Sequence, residues 1–270
     1  MNPRLKTVRR CFQASVLLGY PVLAWLNSQG WERLSGNFLS FSILGFPLAD
    51  PLAAVQVCLG SLALPWKIVL GGGVALGMAF ALGPVFCSWA CPFGTLSDLA
   101  WSLRGIPSSL RKQGWRLKAV LAALACLALA LSGLPPMLNH FSLPGWYSRI
   151  FQAWFNQQEL ALPGLLLLAG ALGAEALAGR RLWCRYVCPQ SLLLQLTHRF
   201  SPIGLRVRFD PRRCTCSRGD EQCGRACPLD LNPRMAGKGL EWECNVCGEC
   251  TQACAKRGRS LTLGFGSGGS

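Results

Sequence analysis

Long apolar stretches separated by short basic segments fill the first 200 residues. Cys11–Trp31 carries no charged residue. Ile68–Phe86 and Ala119–Met137 are 19 residues each without one, and Leu160–Gly179 is apolar except for Glu175. A helix needs about 20 such residues to cross a bilayer, so the pattern predicts four transmembrane helices. Pro51–Pro65 is apolar too, but it is shorter and ends in proline. Asp50-Pro51 has the form of an N-cap followed by proline at the first helical position. That stretch is expected as a short helix lying at the interface or re-entering.

Basic residues alternate across these spans. Arg4, Lys6, Arg9 and Arg10 precede the first, and only Arg33 and Lys67 separate the first from the second. Arg104, Arg111, Lys112, Arg116 and Lys118 lie between the second and third, and only Arg149 between the third and fourth. The remaining basic residues follow the fourth. The positive-inside rule then places both termini in the cytoplasm of a multi-pass protein. Trp25, Trp31, Trp66, Trp146, Tyr147 and Trp154 fall in or beside the poor loops, as an interfacial aromatic belt does. Arg9-Arg10-Cys11-Phe12 resembles a twin-arginine export signal, but no small-x-small cleavage site follows, so the first helix is expected to be retained.

Composition sharpens this picture. The 270 residues hold 27 Lys+Arg and 12 Asp+Glu, a net charge of +15, yet only 14% is charged and 51% hydrophobic. Basic flanks of membrane spans account for the excess without a nucleic-acid partner. The two histidines, His140 and His198, fall on opposite sides of the expected membrane, which argues against a bis-His haem. The 15 cysteines are an odd number, so a complete intramolecular disulfide set is excluded.

The cysteines carry the chemistry. The second and fourth spans end alike, in Cys87-Ser-Trp-Ala-Cys91-Pro92 and Cys184-Arg-Tyr-Val-Cys188-Pro189. This is a parallel internal repeat: helix, aromatic outer loop, helix, C-x3-C-P. Symmetry could bring four thiols together as a third metal or cluster site. A thiol relay and plain packing at helix ends are the other readings. Cys11, Cys58 and Cys126 stand alone in apolar runs and read as small hydrophobes.

Past Phe200 the composition changes. Cys244, Cys247, Cys250 and Cys254 follow C-x2-C-x2-C-x3-C, the ferredoxin run in which the first three cysteines hold one cubane and the fourth reaches a second. The group before it is irregular: Cys214, Cys216, Cys223, Cys227, then Pro228. The crossed pattern groups Cys227 with Cys244, Cys247 and Cys250, and Cys254 with Cys214, Cys216 and Cys223. Two [4Fe–4S] clusters follow, with tetrahedral zinc as the rival. Cys214/Cys216 is the weak point, since C-x-C and the insertion Ser217–Gln222 replace the regular spacing. The expected architecture is an all-α membrane domain, 1–200, with four transmembrane helices in two pseudo-repeats. A small α+β two-cluster ferredoxin-like domain, 201–260, and a flexible tail, 261–270, complete it. Arg206, Arg208, Arg212 and Arg213 are expected as a basic face against anionic lipid.

Together these motifs resemble the NapH-type membrane ferredoxins. The resemblance covers Phe46-Pro47-Leu-Ala-Asp50-Pro51-Leu52, both C-x3-C-P motifs, Ser97-Asp98-Leu99-Ala100, Asn139-His140-Phe-Ser142-Leu143 and the tandem ferredoxin tail. MauN-type, NosR-type and CcoG-type proteins share this core. The resemblance implies a redox subunit of a quinol dehydrogenase complex in the bacterial inner membrane. It would pass electrons from the quinol pool, through a periplasmic ferredoxin or cytochrome c partner, toward a terminal reductase. Asp50, His140 and Glu175 are the candidates for quinol protons, each with a plainer role as cap, loop residue or partner of Arg180. The alternatives are a copper reductase or assembly factor of the CcoG type and a maturation factor of the MauN type.

Overall fold

The structure, a computed structural model, describes residues 3–30, 34–37, 40–43, 46–61, 64–104, 114–132, 142–216, 222–255 and 258–266. Helix α1 (Pro3–Ser28) leads to a three-stranded antiparallel sheet, β1 (Leu34–Asn37), β2 (Ser40–Ile43) and β3 (Phe46–Ala49), in that order. Asp50 then opens α2 (Pro51–Ser61), where its Oδ1 accepts from Leu52 N at 3.2 Å. The cap and proline read in the sequence thus start a helix.

The internal repeat is visible in the backbone. In the first half α3 (Trp66–Leu82) ends at Gly83, φ +78°, and a single turn, α4 (Phe86–Trp89), carries Cys87. Cys91 then precedes α5 (Pro92–Arg104). Between the halves lie α6 (Trp115–Ser132) and α7 (Leu143–Gln152), the latter capped by Ser142 Oγ on Gly145 N at 3.3 Å. In the second half α8 (Leu162–Ala178) ends at Gly179, φ +62°, and a π-helical turn, Trp183–Val187, carries Cys184. Cys188 then precedes α9 (Pro189–Arg199). Both long helices have 17 residues and both stop at a glycine whose positive φ an L side chain would resist. Helix α5 packs on α8 and α9 packs on α3, so the second helix of each half lies against the first of the other.

The expectation of four transmembrane helices is corrected here. No helix among the described residues is long and apolar enough to cross a membrane. The second apolar window, Ile68–Phe86, runs on past Gly83, where α3 stops. At 1.5 Å per residue, 17 residues span about 25 Å, short of a hydrocarbon core of about 30 Å. Helix α1 is longer, but it holds Pro21 and buries Arg9 and Gln13, and α6 begins with Arg116 and Lys118 inside it.

The C-terminal part is framed by β4 (Leu205–Phe209) and β5 (Leu261–Phe265), paired antiparallel from Leu205↔Phe265 to Phe209↔Leu261. Strand β5 occupies the start of the expected flexible tail, because Leu261 turns into the core. Two short helices, α10 (Gln222–Arg225) and α11 (Glu249–Ala255), lie between the strands. The core is continuous: Val207, Leu229, Leu240 and Leu261 pack in one cluster with Phe93, Leu143, Tyr147 and Leu168. The expected basic face is also corrected. Arg206 is buried and donates to the carbonyls of His198 (2.9 Å) and Ser201 (2.6 Å), closing the C-terminal end of α9. Arg208, Arg212 and Arg213 are exposed.

Candidate functional site

Eight cysteines of the C-terminal part line two small cavities. Cys227, Cys244, Cys247 and Cys250 line one, with Val207, Leu229 and Leu240. Cys214, Cys216, Cys223 and Cys254 line the other, with Phe209, Arg234 and Ser260. Cys223 and Cys227, at α10 and its exit, divide between the two, and Cys250 and Cys254 of α11 do the same. The backbone serves the sulfurs: Leu231 N donates to Cys227 Sγ and Val246 N to Cys244 Sγ, each at 3.4 Å. Val246 holds φ +53° and Gly248 φ +79°, so the loop curls around its thiols. A β-branched residue in that region is strained and is retained only where its surroundings enforce it.

The two quartets differ in environment. Burial pushes the Cys227 thiol up to about 12 and Cys244 well above its ordinary value. Thiols so buried become ligands when a metal takes the place of the proton. In the second cavity the Cys214 thiol is lowered, first by the Cys216 backbone N–H, against a smaller effect of burial. Cys254 Sγ and Ser260 Oγ lie 3.1 Å apart there. Among the described residues no group of three or more His, Cys, Asp or Glu side chains has the geometry to hold a metal ion. Four thiols around one cavity are the donor set both of a [4Fe–4S] cluster and of tetrahedral Zn²⁺. The insertion at 217–221 lies outside the described residues.

The C-x3-C-P thiols lie in one buried neighbourhood. Burial first, and then the nearby Cys91 and Cys188, raise the Cys87 thiol, and burial first raises Cys184, with Cys188 and Cys91 adding to it. Gly94 N donates to Cys91 Sγ at 3.4 Å, and Ser191 Oγ bonds the carbonyls of Cys184 and Cys188, each at 2.9 Å. A Cβ on Gly94 would sit 2.5 Å from the Cys87 carbonyl, so only glycine lets α5 approach the first motif this closely. Burial pushes the Cys91 thiol up to about 12. Lys118 is buried beside this quartet, with Nζ on Ser191 Oγ (2.8 Å), Gln195 Oε1 (3.2 Å) and the Cys184 carbonyl (3.4 Å).

A buried charge network joins the two regions. Arg181 pairs with Asp98 and donates to the Gly94 carbonyl at 2.8 Å. Arg9 Nη1 donates to the Cys247 carbonyl at 2.8 Å and pairs with Glu249. Gln13 bridges Asp98 (3.0 Å) and the Ser88 carbonyl (2.9 Å), and Ser88 Oγ reaches the Asn245 carbonyl at 2.9 Å. Burial alone would raise Asp98, but Arg181 and then Arg9 hold its carboxyl below the ordinary range. Arg9, Lys118 and Arg181, which the charge pattern places among the basic flanks of the expected spans, are buried here. Arg181 stands three residues before the second C-x3-C-P motif and Lys118 in the first turn of α6, but nothing in the sequence near Arg9 points to its partners.

Of the three candidate proton groups, His140 lies outside the described residues. Glu175 is buried, and its Oε1 accepts from Trp183 N at 2.9 Å, anchoring the second cysteine motif to α8. Arg180 pairs with Asp230 instead of Glu175. Asp50 caps α2 and faces a cavity of about 970 Å³ walled by α1, α3 and the cluster loop.

Comparison with known proteins bears on this geometry. The family model described as a 4Fe–4S binding domain matches residues 63–115 and 160–208, the two stretches that carry the C-x3-C-P motifs. The chain is 30% identical to the protein NirI of Paracoccus denitrificans over 252 residues, covering 82% of this chain and 34% of that protein. It is 27% identical to the methylamine utilization ferredoxin-type protein MauN of Methylobacillus flagellatus, covering 82% of this chain and 74% of that one. It is also 27% identical to the ferredoxin-type protein NapH of Escherichia coli, with 87% and 82% covered. The chain thus spans about a third of NirI but most of MauN and NapH. No solved structure matches it.

Proposed function

As the chain belongs to the NapH-type family of ferredoxin-type 4Fe–4S electron-transfer proteins, we propose that it carries electrons from the quinol pool toward a periplasmic reductase. The observation that carries this reading is the sorting of eight cysteines into two four-thiol cavities that share α10 and α11. Cys227, Cys244, Cys247 and Cys250 would hold one [4Fe–4S] cluster, and Cys214, Cys216, Cys223 and Cys254 the other. When bound, each cluster accepts and releases one electron. The chain's own residues do the rest. Leu231 and Val246 N–H groups stabilise charge on the sulfurs. Arg9 and Arg181 place positive charge beside the Cys247 loop. The apolar walls Val207, Leu229 and Leu240 exclude water from the first quartet.

Association with the bacterial plasma membrane belongs to this reading. Large apolar side chains stand exposed along the helices, among them Leu18 and Val22 on α1, Leu121 and Leu124 on α6, and Leu166 on α8. Apolar surface of that extent marks contact with lipid or with another subunit. The buried C-x3-C-P quartet, between Lys118 and Arg181, is the place for a further redox or metal group on the path. A periplasmic ferredoxin or cytochrome c would receive the electrons.

Iron and acid-labile sulfide counted per chain in anaerobically purified protein test the assignment. About eight of each correspond to two cubanes in the C-terminal part, and about twelve add a third at Cys87, Cys91, Cys184 and Cys188. Near-zero iron with bound zinc would overturn the reading.

A further inference from the structure

The cavity faced by Asp50 is almost wholly apolar, lined by Val16, Leu23, Ala79, Phe86, Trp89 and Leu194. Its few polar groups include Arg9, Asp50, Gln190 and Gln252. Val246 and Cys247 also reach its surface, so a ligand here touches the loop assigned to a cluster. Asp50 is 4% exposed. Its Oδ1 serves the helix cap, but Oδ2 has no hydrogen-bond partner among the described residues. Burial pushes its carboxyl up to about 7, against the backbone N–H groups of Leu52 and Ala53. A cap alone does not explain this, since Ser or Asn caps as well without stranding a carboxylate oxygen. At about 970 Å³ the cavity matches small-molecule pockets, which are mostly apolar with a few placed polar groups.

We propose that this cavity holds the ring of a lipid-soluble hydroquinone and that Asp50 Oδ2 accepts its hydroxyl proton. The proposal rests on the reading of the chain as a carrier fed from the quinol pool. An acyl chain would fill the apolar wall but gives Asp50 no donor, and an anionic lipid headgroup would meet its charge. A neutral ring bearing O–H groups satisfies both wall and carboxylate. Oxidation to the quinone would release two electrons, and the two [4Fe–4S] clusters that the cysteine quartets would hold would take one each. It also releases two protons, which leave in turn through Asp50. Gly19 lines the same cavity, and a Cβ there would meet nothing within 4 Å, so Gly19→Phe starts its ring into open space and takes volume from the cavity.

The test uses the purified holoprotein with a short-tailed azidoquinone for photolabelling and the matching quinol for stopped-flow bleaching of cluster absorbance. Label is expected in α1 and α3 and is lost in Gly19→Phe. Asp50→Asn keeps the label but slows bleaching by quinol about 100-fold, and Asp50→Glu recovers part of the rate. Dithionite bleaches all variants like wild type. Label elsewhere that Gly19→Phe leaves unchanged, or Asp50→Asn bleaching at the wild-type rate, overturns the cavity assignment while leaving the electron-carrier reading in place. Wild-type protein that dithionite bleaches but quinol does not would overturn both.

Discussion

Asp50 and Arg9 are placed where chemistry, not stability, rewards them. A carboxyl raised from its ordinary range to about 7 binds protons more tightly in the folded chain than in the unfolded one. Folding is therefore favoured least once pH exceeds about 7, and the penalty fades as pH falls toward about 4. Asp50→Asn is expected to stabilise the protein at pH 8 by on the order of a few kcal/mol, with the gap to wild type closing toward pH 4. Denaturant melts across that pH range measure it. Arg9 donates to the carbonyl of Cys247. Reduction adds negative charge to a cluster, and a nearby cation favours the reduced form. Arg9→Gln is expected to lower the midpoint potential of one cluster by on the order of tens of millivolts, read by an EPR-monitored redox titration, with iron content unchanged. Arg9 is the safer choice than Arg181, because Asp98 keeps Arg181 and Arg10 as partners when Arg9 is lost. Asp50 stood among the candidates that the chain offers for quinol protons, but the role of Arg9 was not legible there, because an arginine near a terminus reads as a membrane flank. The pairing of Arg9 with Glu249 or of Arg181 with Asp98 depends on distant parts of the sequence.

Elements show why the rest was only partly readable. The C-x3-C-P repeat, the Asp50-Pro51 helix start and the ferredoxin run are local signals: the first precedes α5 and α9, the second opens α2, and the third runs into α11. The second span runs past its stop because an apolar average does not register Gly83-Pro84, whereas the fourth ends at the same Gly179 that ends α8. The β1–β3 sheet was read as an outer loop, since four-residue strands rich in Ser and Gly carry little periodic signal. Another element-level device is the junction of α3, α9 and β4 around His198. His198 is buried, and a Cβ on Gly204 would lie 2.5 Å from its ring. Gly204→Ala is expected to destabilise the fold by about 1–3 kcal/mol through overpacking. A double-mutant cycle with His198→Ala should recover most of that loss, as read by chemical denaturation. Burial, and then Arg206, push the His198 imidazole down to about 4. Its contribution is present above about pH 6.5 and is lost as pH falls through about 4.

At the scale of the whole molecule the two thiol cavities are unequal. The Cys214 quartet includes polar Arg234 and Ser260, while the Cys227 quartet is walled by aliphatic side chains. Air or a chelator is expected to remove about four irons quickly and to leave about four bound, followed by iron content and EPR. Cys214→Ser should abolish only the labile population, whereas Cys244→Ser should also lower the melting temperature.

The reciprocal packing of α5 on α8 and α9 on α3 has a consequence for ancestry and assembly. Neither half closes its own helix pair; each is completed by the other. One half-length chain, meeting a second copy of itself, could have built the same core, with each copy giving two thiols to the shared axis. Fusion would then have freed the copies to diverge, one keeping a regular α-turn at Cys87 and the other a π-turn at Cys184. Halves expressed from separate genes should still find one another, and neither should fold alone.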